Sequence, residues 1–450
     1  MAPLRRPATR SQRATCCSQV LLLLMGCGAT PSSAAPPPPV ALTPPTSTTE
    51  TAAPVALPPT PPSPTTAPAP SPPATPDPAP PLLTLDTHMD TTQRMLDAHD
   101  DLAQRLADGH VDFPRMREGG LSGGFFSVWV NPRKFRGEAA WQRALALTHA
   151  VRALAAQHPD EAALCTTTDD VRRAAASGRI ALLIGVEGAH ALGTDDPELA
   201  LARLRELYAL GARYLTLTWT NDNALAHAST GAHPELGLTD LGRRAVREMN
   251  QLGMIADVSH VSDQTVSDVL DVTTRPVLAS HSAARALSDN RRNLPDALLA
   301  RIAAGGGAVC VNFYPQFLDA AYGAQQRAVV RAHRAEFDAL EATGNSSTAR
   351  GGPSRLALAL RLDPTLHRPT VALLVNHVAH VVRVAGPGAA CLGSDFDGIG
   401  ELPAGLDDAS DLGVLRDALS ARGLDVRTIA AENVLRVLDA QTPSGVRVPP

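Results

Sequence analysis

At 450 residues the chain can hold one large domain or two ordinary ones, and 44% hydrophobic against 19% charged residues suits a globular core. A formal net charge of -5 lacks the basic footprint that nucleic acid requires, so no nucleic-acid partner is expected. The 39 prolines are unevenly spread and divide the chain, and Lys134 is the only lysine.

Residues 1–27 read as a signal peptide. Arg5, Arg6, Arg10 and Arg13 form a basic start, and the apolar run at 20–25 is too short to span a bilayer. The run ends in Leu24-Met25-Gly26-Cys27, which resembles a bacterial lipobox. That resemblance implies a membrane partner through a lipid on Cys27, the first residue of the mature chain. Gly28 in place of Asp points to the outer membrane. The expectation is an exported lipoprotein of the periplasm or outer membrane. Residues 28–81 are Pro, Ala, Thr and Ser with almost no large apolar side chain. They cannot bury enough surface to offset their ordering entropy and should form a disordered tether. Cys16, Cys17 and Cys27 fall in the signal region, leaving Cys165, Cys310 and Cys391. An odd number with no CxxC pair predicts no disulfide framework. Cys310 and Cys391 should be buried small hydrophobes.

From residue 82 to about 445 the texture becomes that of one domain. Short apolar runs occur at 83–90, 124–130, 181–188, 213–219, 254–260, 276–282, 307–313 and 390–397. Continuous apolar strands of this length indicate burial on both faces, as in a parallel sheet. Between them lie helical patterns, among them 239–252 with a capping threonine, 295–304 and 371–384. Eight strands alternating with helices predict an α/β (β/α)8 TIM barrel. The largest insertion precedes the eighth run, with a helix over 320–340 and a surface loop at 344–352.

Polar residues gather where the runs end: His88 and Asp90, Glu187, His260, His281, and Asp395 with Asp397. Residues two apart in a strand share a face, so His88 and Asp90 project together. A TIM barrel keeps its catalytic groups at the C-terminal rim of its strands, and imidazoles with carboxylates there make an N/O donor set suited to zinc. Singly, each has a structural reading as a capping carboxylate or a hydrogen-bonded core histidine; jointly they predict a metal centre. His377 and His380 lie one turn apart on a predicted helix outside that rim, where a structural role is expected. Asp397 is expected to order the loop after the last strand, and Asp86 to orient a ligand.

From about residue 83 to 438 the chain resembles the membrane (renal) dipeptidase family, peptidase family M19 of the amidohydrolase superfamily. The stretches DTHMD, LLIGVEGAHAL, ARYLTLTW, GMIADVSHVS, PVLASHSAAR, RRNLPD, VNFY and GSDFDG carry the resemblance, in the family's order. It implies a zinc-dependent dipeptidase with two Zn2+ per chain: His88 and Asp90 on one ion, His260 and His281 on the other, Glu187 bridging both. It further implies a hydroxide between the ions as nucleophile, and Asp395 as general base and then acid. Arg292 would grip the free C-terminal carboxylate of a small-peptide substrate, a bidentate task that lysine cannot perform. A homodimer is implied as well.

The chain departs from the family at one point. Animal members carry a histidine at the end of the fourth barrel strand, whereas here Thr216 to Asn221 place Trp219. Tryptophan offers one indole donor. His227, Asn221 and Asn223 are alternative substrate-facing donors. Two rival readings stand beside the dipeptidase. One is another amidohydrolase-type metal hydrolase acting on a cyclic amide or β-lactam, although Lys134 lies too early to supply the carboxylated lysine many of those use. The other is a non-catalytic peptide-binding lipoprotein, which predicts a lost ligand.

Overall fold

The computed structural model of the chain describes residues 82–342 and 355–441. The signal peptide, the tether and the loop expected at 344–352 lie outside the described residues. Among the described residues there are nine strands: β1 (Leu85–Met89), β2 (Gly123–Trp129), β3 (Ala162–Leu164), β4 (Ile180–Glu187), β5 (Ala212–Thr216), β6 (Ile255–Asp257), β7 (Leu278–Ser282), β8 (Ala308–Val311) and β9 (Ala390–Leu392). Eight of them run parallel in the order β1-β2-β4-β5-β6-β7-β8-β9, and short β3 pairs only with the outer start of β4. The first and last strands close on each other at one rim, where Asp395 N–H donates to the His88 carbonyl at 3.0 Å and Asp90 N–H to that of Phe396 at 2.8 Å. The result is the expected (β/α)8 barrel, plus one strand, β3, too short to show as an apolar run.

Period-two alternation sorts the strand side chains. Leu85, Phe125, Leu183, Tyr214, Ile255, Leu278, Cys310 and Cys391, one from each barrel strand, pack together in the interior. Val434, Leu435 and Leu438 of the helix Asn433–Asp439 join them and stop one end. The alternate residues, such as Phe126, Ile184, Leu215 and Val309, meet the surrounding helices. Those helices carry legible signals. In Asp240–Leu252 the Thr239 side chain caps the Gly242 N–H at 3.0 Å, and Gly253 ends the helix in the left-handed region at φ 84.

Cys310 and Cys391 correct the expectation of two separate thiols: they form a disulfide. They are register partners on β8 and β9, with Cα atoms 4.0 Å apart, so both side chains enter the interior side by side. The odd count misled because Cys165 stays buried and alone. Nor does a separation of 81 residues announce a pair. His377 and His380 are structural, as expected: His377 Nε2 lies 3.0 Å from the Leu318 carbonyl, and His380 Nε2 lies 2.7 Å from Asp296. Among the described residues no helix is long and apolar enough to cross a membrane.

Candidate metal centre

The five side chains expected to hold metal meet at the closed rim of the barrel, all of them inside or just past strands of the ring. His88 sits in β1 and is fully buried; Asp90 follows the strand by one residue. Their side chains face the same way, with His88 Nε2 3.8 Å from Asp90 Oδ1. Glu187 ends β4, and its carboxylate divides: Oε2 faces His88 Nε2 at 3.6 Å, while Oε1 faces His260 Nε2 at 2.9 Å and His281 Nε2 at 3.5 Å. The His260 and His281 rings bring their Nε2 atoms to 2.8 Å. Donor atoms of His88, Glu187 and His281 form one group compact enough for an ion, and those of His88, Asp90 and Asp395 form a second.

Asp90, His260 and Asp395 are not in strands, contrary to the expectation that the runs carry them there. β6 stops at Asp257, so His260 lies on the turn beyond it at φ 69, and Asp395 lies past β9 at φ 65. The left-handed region is costly for a residue with a Cβ, and such positions concentrate at functional sites. From these turns His260 meets Glu187 and His281, and Asp395 joins His88 and Asp90.

The site fits a divalent cation on its own chemistry. His88 Nε2 and Asp90 Oδ1 are buried without a hydrogen-bond partner, and a bare buried donor set of this kind is costly unless something fills it. Burial pushes the Glu187 carboxyl up to about 7, and nearby Asp90 adds to that. Burial likewise pushes Asp395 up to about 6. It pulls His260 and His281 well below the ordinary histidine value, which keeps their rings neutral as ligands must be. For His88 burial acts the same way, but Tyr214, Glu187 and Asp90 outweigh it and raise its pKa. A crowd of buried carboxylates that resist ionisation is what a cation relieves.

Around the cluster, Arg292 is buried, donates from Nη2 to the His281 carbonyl at 3.0 Å, and lies over the Phe317 ring at 5.2 Å. Its Nε is buried without a partner, and burial pulls the guanidinium down to about 10. Asn312 donates to Asp395 Oδ2 at 3.0 Å and holds that carboxylate's rotamer. Asp86 Oδ1 accepts the backbone N–H groups of His88 and Ser394, so it ties the first strand to the last loop rather than touching a ligand ring. Asp397 accepts from Thr91 and from the His110 N–H, ordering its loop as expected.

Trp219 stands edge-on to Trp129 at 5.0 Å, and with Ala189, His190, Asn221 and Asn223 it lines a cavity of about 550 Å³ that starts two residues beyond Glu187. His227 does not line that cavity, because its Nδ1 is 2.7 Å from the Gly237 carbonyl. Sequence reasoning passed over Asn312, His190 and Tyr214. Asn312 lies in the quoted VNFY stretch and was findable there. His190 and Tyr214 likewise lie in LLIGVEGAHAL and ARYLTLTW, but which groups they face shows only in the fold.

A family model for membrane dipeptidase, peptidase family M19, matches residues 81–445. Two uncharacterized dipeptidases of Schizosaccharomyces pombe are similar: one is 35% identical over 268 residues, covering 58% of this chain, and the other 32% over 339 residues, covering 72%. The chain spans 53% of the first relative's length and 71% of the second's. Among solved structures, the dipeptidase AC, a metallopeptidase of family M19, aligns with a TM-score of 0.64 at 27% identity, over 80% of this chain and 98% of that one. A metallopeptidase from Rhodobacter sphaeroides, liganded with a phosphinate mimic of the dipeptide L-Ala-D-Ala, aligns with a TM-score of 0.64 at 26% identity, over 80% and 99%. With the family model spanning the whole barrel and the donor cluster at its mouth, the chain belongs to the membrane dipeptidase family, peptidase family M19.

Proposed function

We propose that this chain is a zinc-dependent dipeptidase that hydrolyses short peptides bearing a free C-terminal carboxylate. The observation that carries the reading is the divided Glu187 carboxylate, one oxygen toward His88 and the other toward His260 and His281. That arrangement suits one ion on His88 and Asp90 and a second on His260 and His281. Two divalent ions there would polarise the scissile carbonyl and bring the pKa of a water near 7. A non-catalytic descendant that had lost a ligand does not match this cluster.

The remaining work falls to the chain's own groups. Arg292 takes the substrate carboxylate, with its planar fork held by the His281 carbonyl and the Phe317 face. Asp395, its rotamer fixed by Asn312, accepts the proton of the attacking water and returns it to the leaving amine. Trp219 lines the cavity together with His190, Asn221 and Asn223, and Trp129 stands edge-on to it, so that wall combines apolar surface with polar groups that can meet a substrate. The Rhodobacter sphaeroides relative's dipeptide mimic ends in a D-residue, which supports including L,D-dipeptides among the substrates. The test is a panel of L,L- and L,D-dipeptides on zinc-loaded protein, before and after a chelator. Chelation should abolish turnover and Zn2+ should restore it; turnover indifferent to chelation would overturn the reading.

A further inference from the structure

Two of the three histidines in the cluster are held from behind by a hydroxyl, and the third is not. Tyr214, in β5, reaches across the barrel interior to β1. It can do so because residue 185 of the adjacent β4 is glycine: a Cβ there would lie 2.0 Å from Tyr214 Cζ. The ring is fully buried against Phe125, 4.9 Å away. Its hydroxyl donates to the Thr87 carbonyl at 3.1 Å and lies 2.8 Å from His88 Nδ1. A phenol has one proton to give. For both contacts to be hydrogen bonds, that proton goes to the carbonyl and His88 Nδ1 carries its own. The neutral ring then has a bare Nε2, the atom that faces Glu187 and Asp90.

His281 repeats the logic with a different residue. Ser280 Oγ donates to Asp257 Oδ2 at 2.6 Å, which leaves it to accept from His281 Nδ1 at 2.8 Å. Asp257 is itself anchored by the N–H groups of Ser259 and Ser280 and by the Thr216 hydroxyl. His260 has no such support, since its Nδ1 is buried without a partner.

We propose that Tyr214 and Ser280 are positioning residues that fix His88 and His281 in the tautomer whose Nε2 lone pair can receive a cation. The inference rests on the metal-dependent reading above. A ligand histidine normally hands its other ring N–H to such a partner, and losing the partner typically weakens metal binding 10- to 100-fold. The experiment measures Zn2+ affinity of the metal-stripped chain, by competition with a chromogenic chelator, for native protein, Tyr214→Phe and Ser280→Ala. Each variant should bind Zn2+ about 10- to 100-fold more weakly. The gap between metal-stripped and Zn2+-loaded melting temperatures should shrink in both. A purely structural role lowers both melting temperatures together and leaves the affinity alone; that outcome, with native protein binding normally, overturns the inference only. Failure of the native chain to bind Zn2+ overturns the metal reading and the inference with it. Should Tyr214→Phe not fold, Ser280→Ala, which removes one oxygen, decides the matter.

Discussion

Lowering the pH should loosen the protein through His377, a residue outside the metal cluster. Its buried ring receives the Ala284 N–H on Nδ1 at 3.2 Å and lies 3.0 Å from the Leu318 carbonyl on Nε2. Only the neutral tautomer with its proton on Nε2 satisfies both neighbours, because a second proton on Nδ1 would confront an N–H. Burial accordingly pulls its pKa from 6.5 to about 4. The sign follows from which state holds more protons. Below pH 6.5 the unfolded chain protonates this histidine and the folded chain does not, so stability present above 6.5 is lost as the pH falls toward 4. At 1.36 kcal/mol per tenfold step the full loss is about 3 kcal/mol, with about 2 kcal/mol of it gone by pH 5. Urea unfolding at pH 8, 6 and 5, compared between native protein and His377→Gln, isolates this group, since the other histidines titrate alike in both. Native protein should lose about 2 kcal/mol more than the variant between pH 8 and pH 5. Parallel curves would refute the reasoning. Because Ala284 pairs with Leu294 two residues beyond Arg292, acid loosening should also reach the loop that carries the arginine.

Three further outcomes are expected. Glu187→Gln keeps the shape of the side chain and removes a charge within 3.6 Å of three ring nitrogens. Dipeptide turnover should fall by about three orders of magnitude, because one unit charge at about 4 Å is worth about 4 kcal/mol at an effective dielectric near 20. Unchanged kcat/KM with native circular dichroism would remove Glu187 from the bridge. Arg292→Ala should cost about 100-fold in kcat/KM on substrates with a free carboxylate and far less on their amides, whereas equal losses on both would deny it the carboxylate. Cys27→Ser should move the full chain from the membrane fraction to the soluble one, and a distribution identical to native would count against lipidation.

Much of this molecule was legible before folding, and for local reasons. A buried parallel strand needs an uninterrupted apolar run and an outer helix needs a stripe and a cap, so the eight barrel strands and the helix Asp240–Leu252 could be placed along the chain, though several strands end earlier than their apolar runs. The ligand candidates were legible as a set: each alone also reads as a capping carboxylate or a core histidine, and only their gathering at the ends of separate apolar runs points to a metal. Tertiary structure alone decided what depends on facing partners. It paired Cys310 with Cys391, because the β8–β9 register sets two interior positions side by side across 81 residues of chain. It put His260 and Asp395 on left-handed turns past their strands, turned His227 toward Gly237, and laid Tyr214 over a glycine to meet His88. Apolar periodicity is a property of neighbours along the chain. Register, tautomer and the direction of a turn are set by groups that meet only once the barrel has closed.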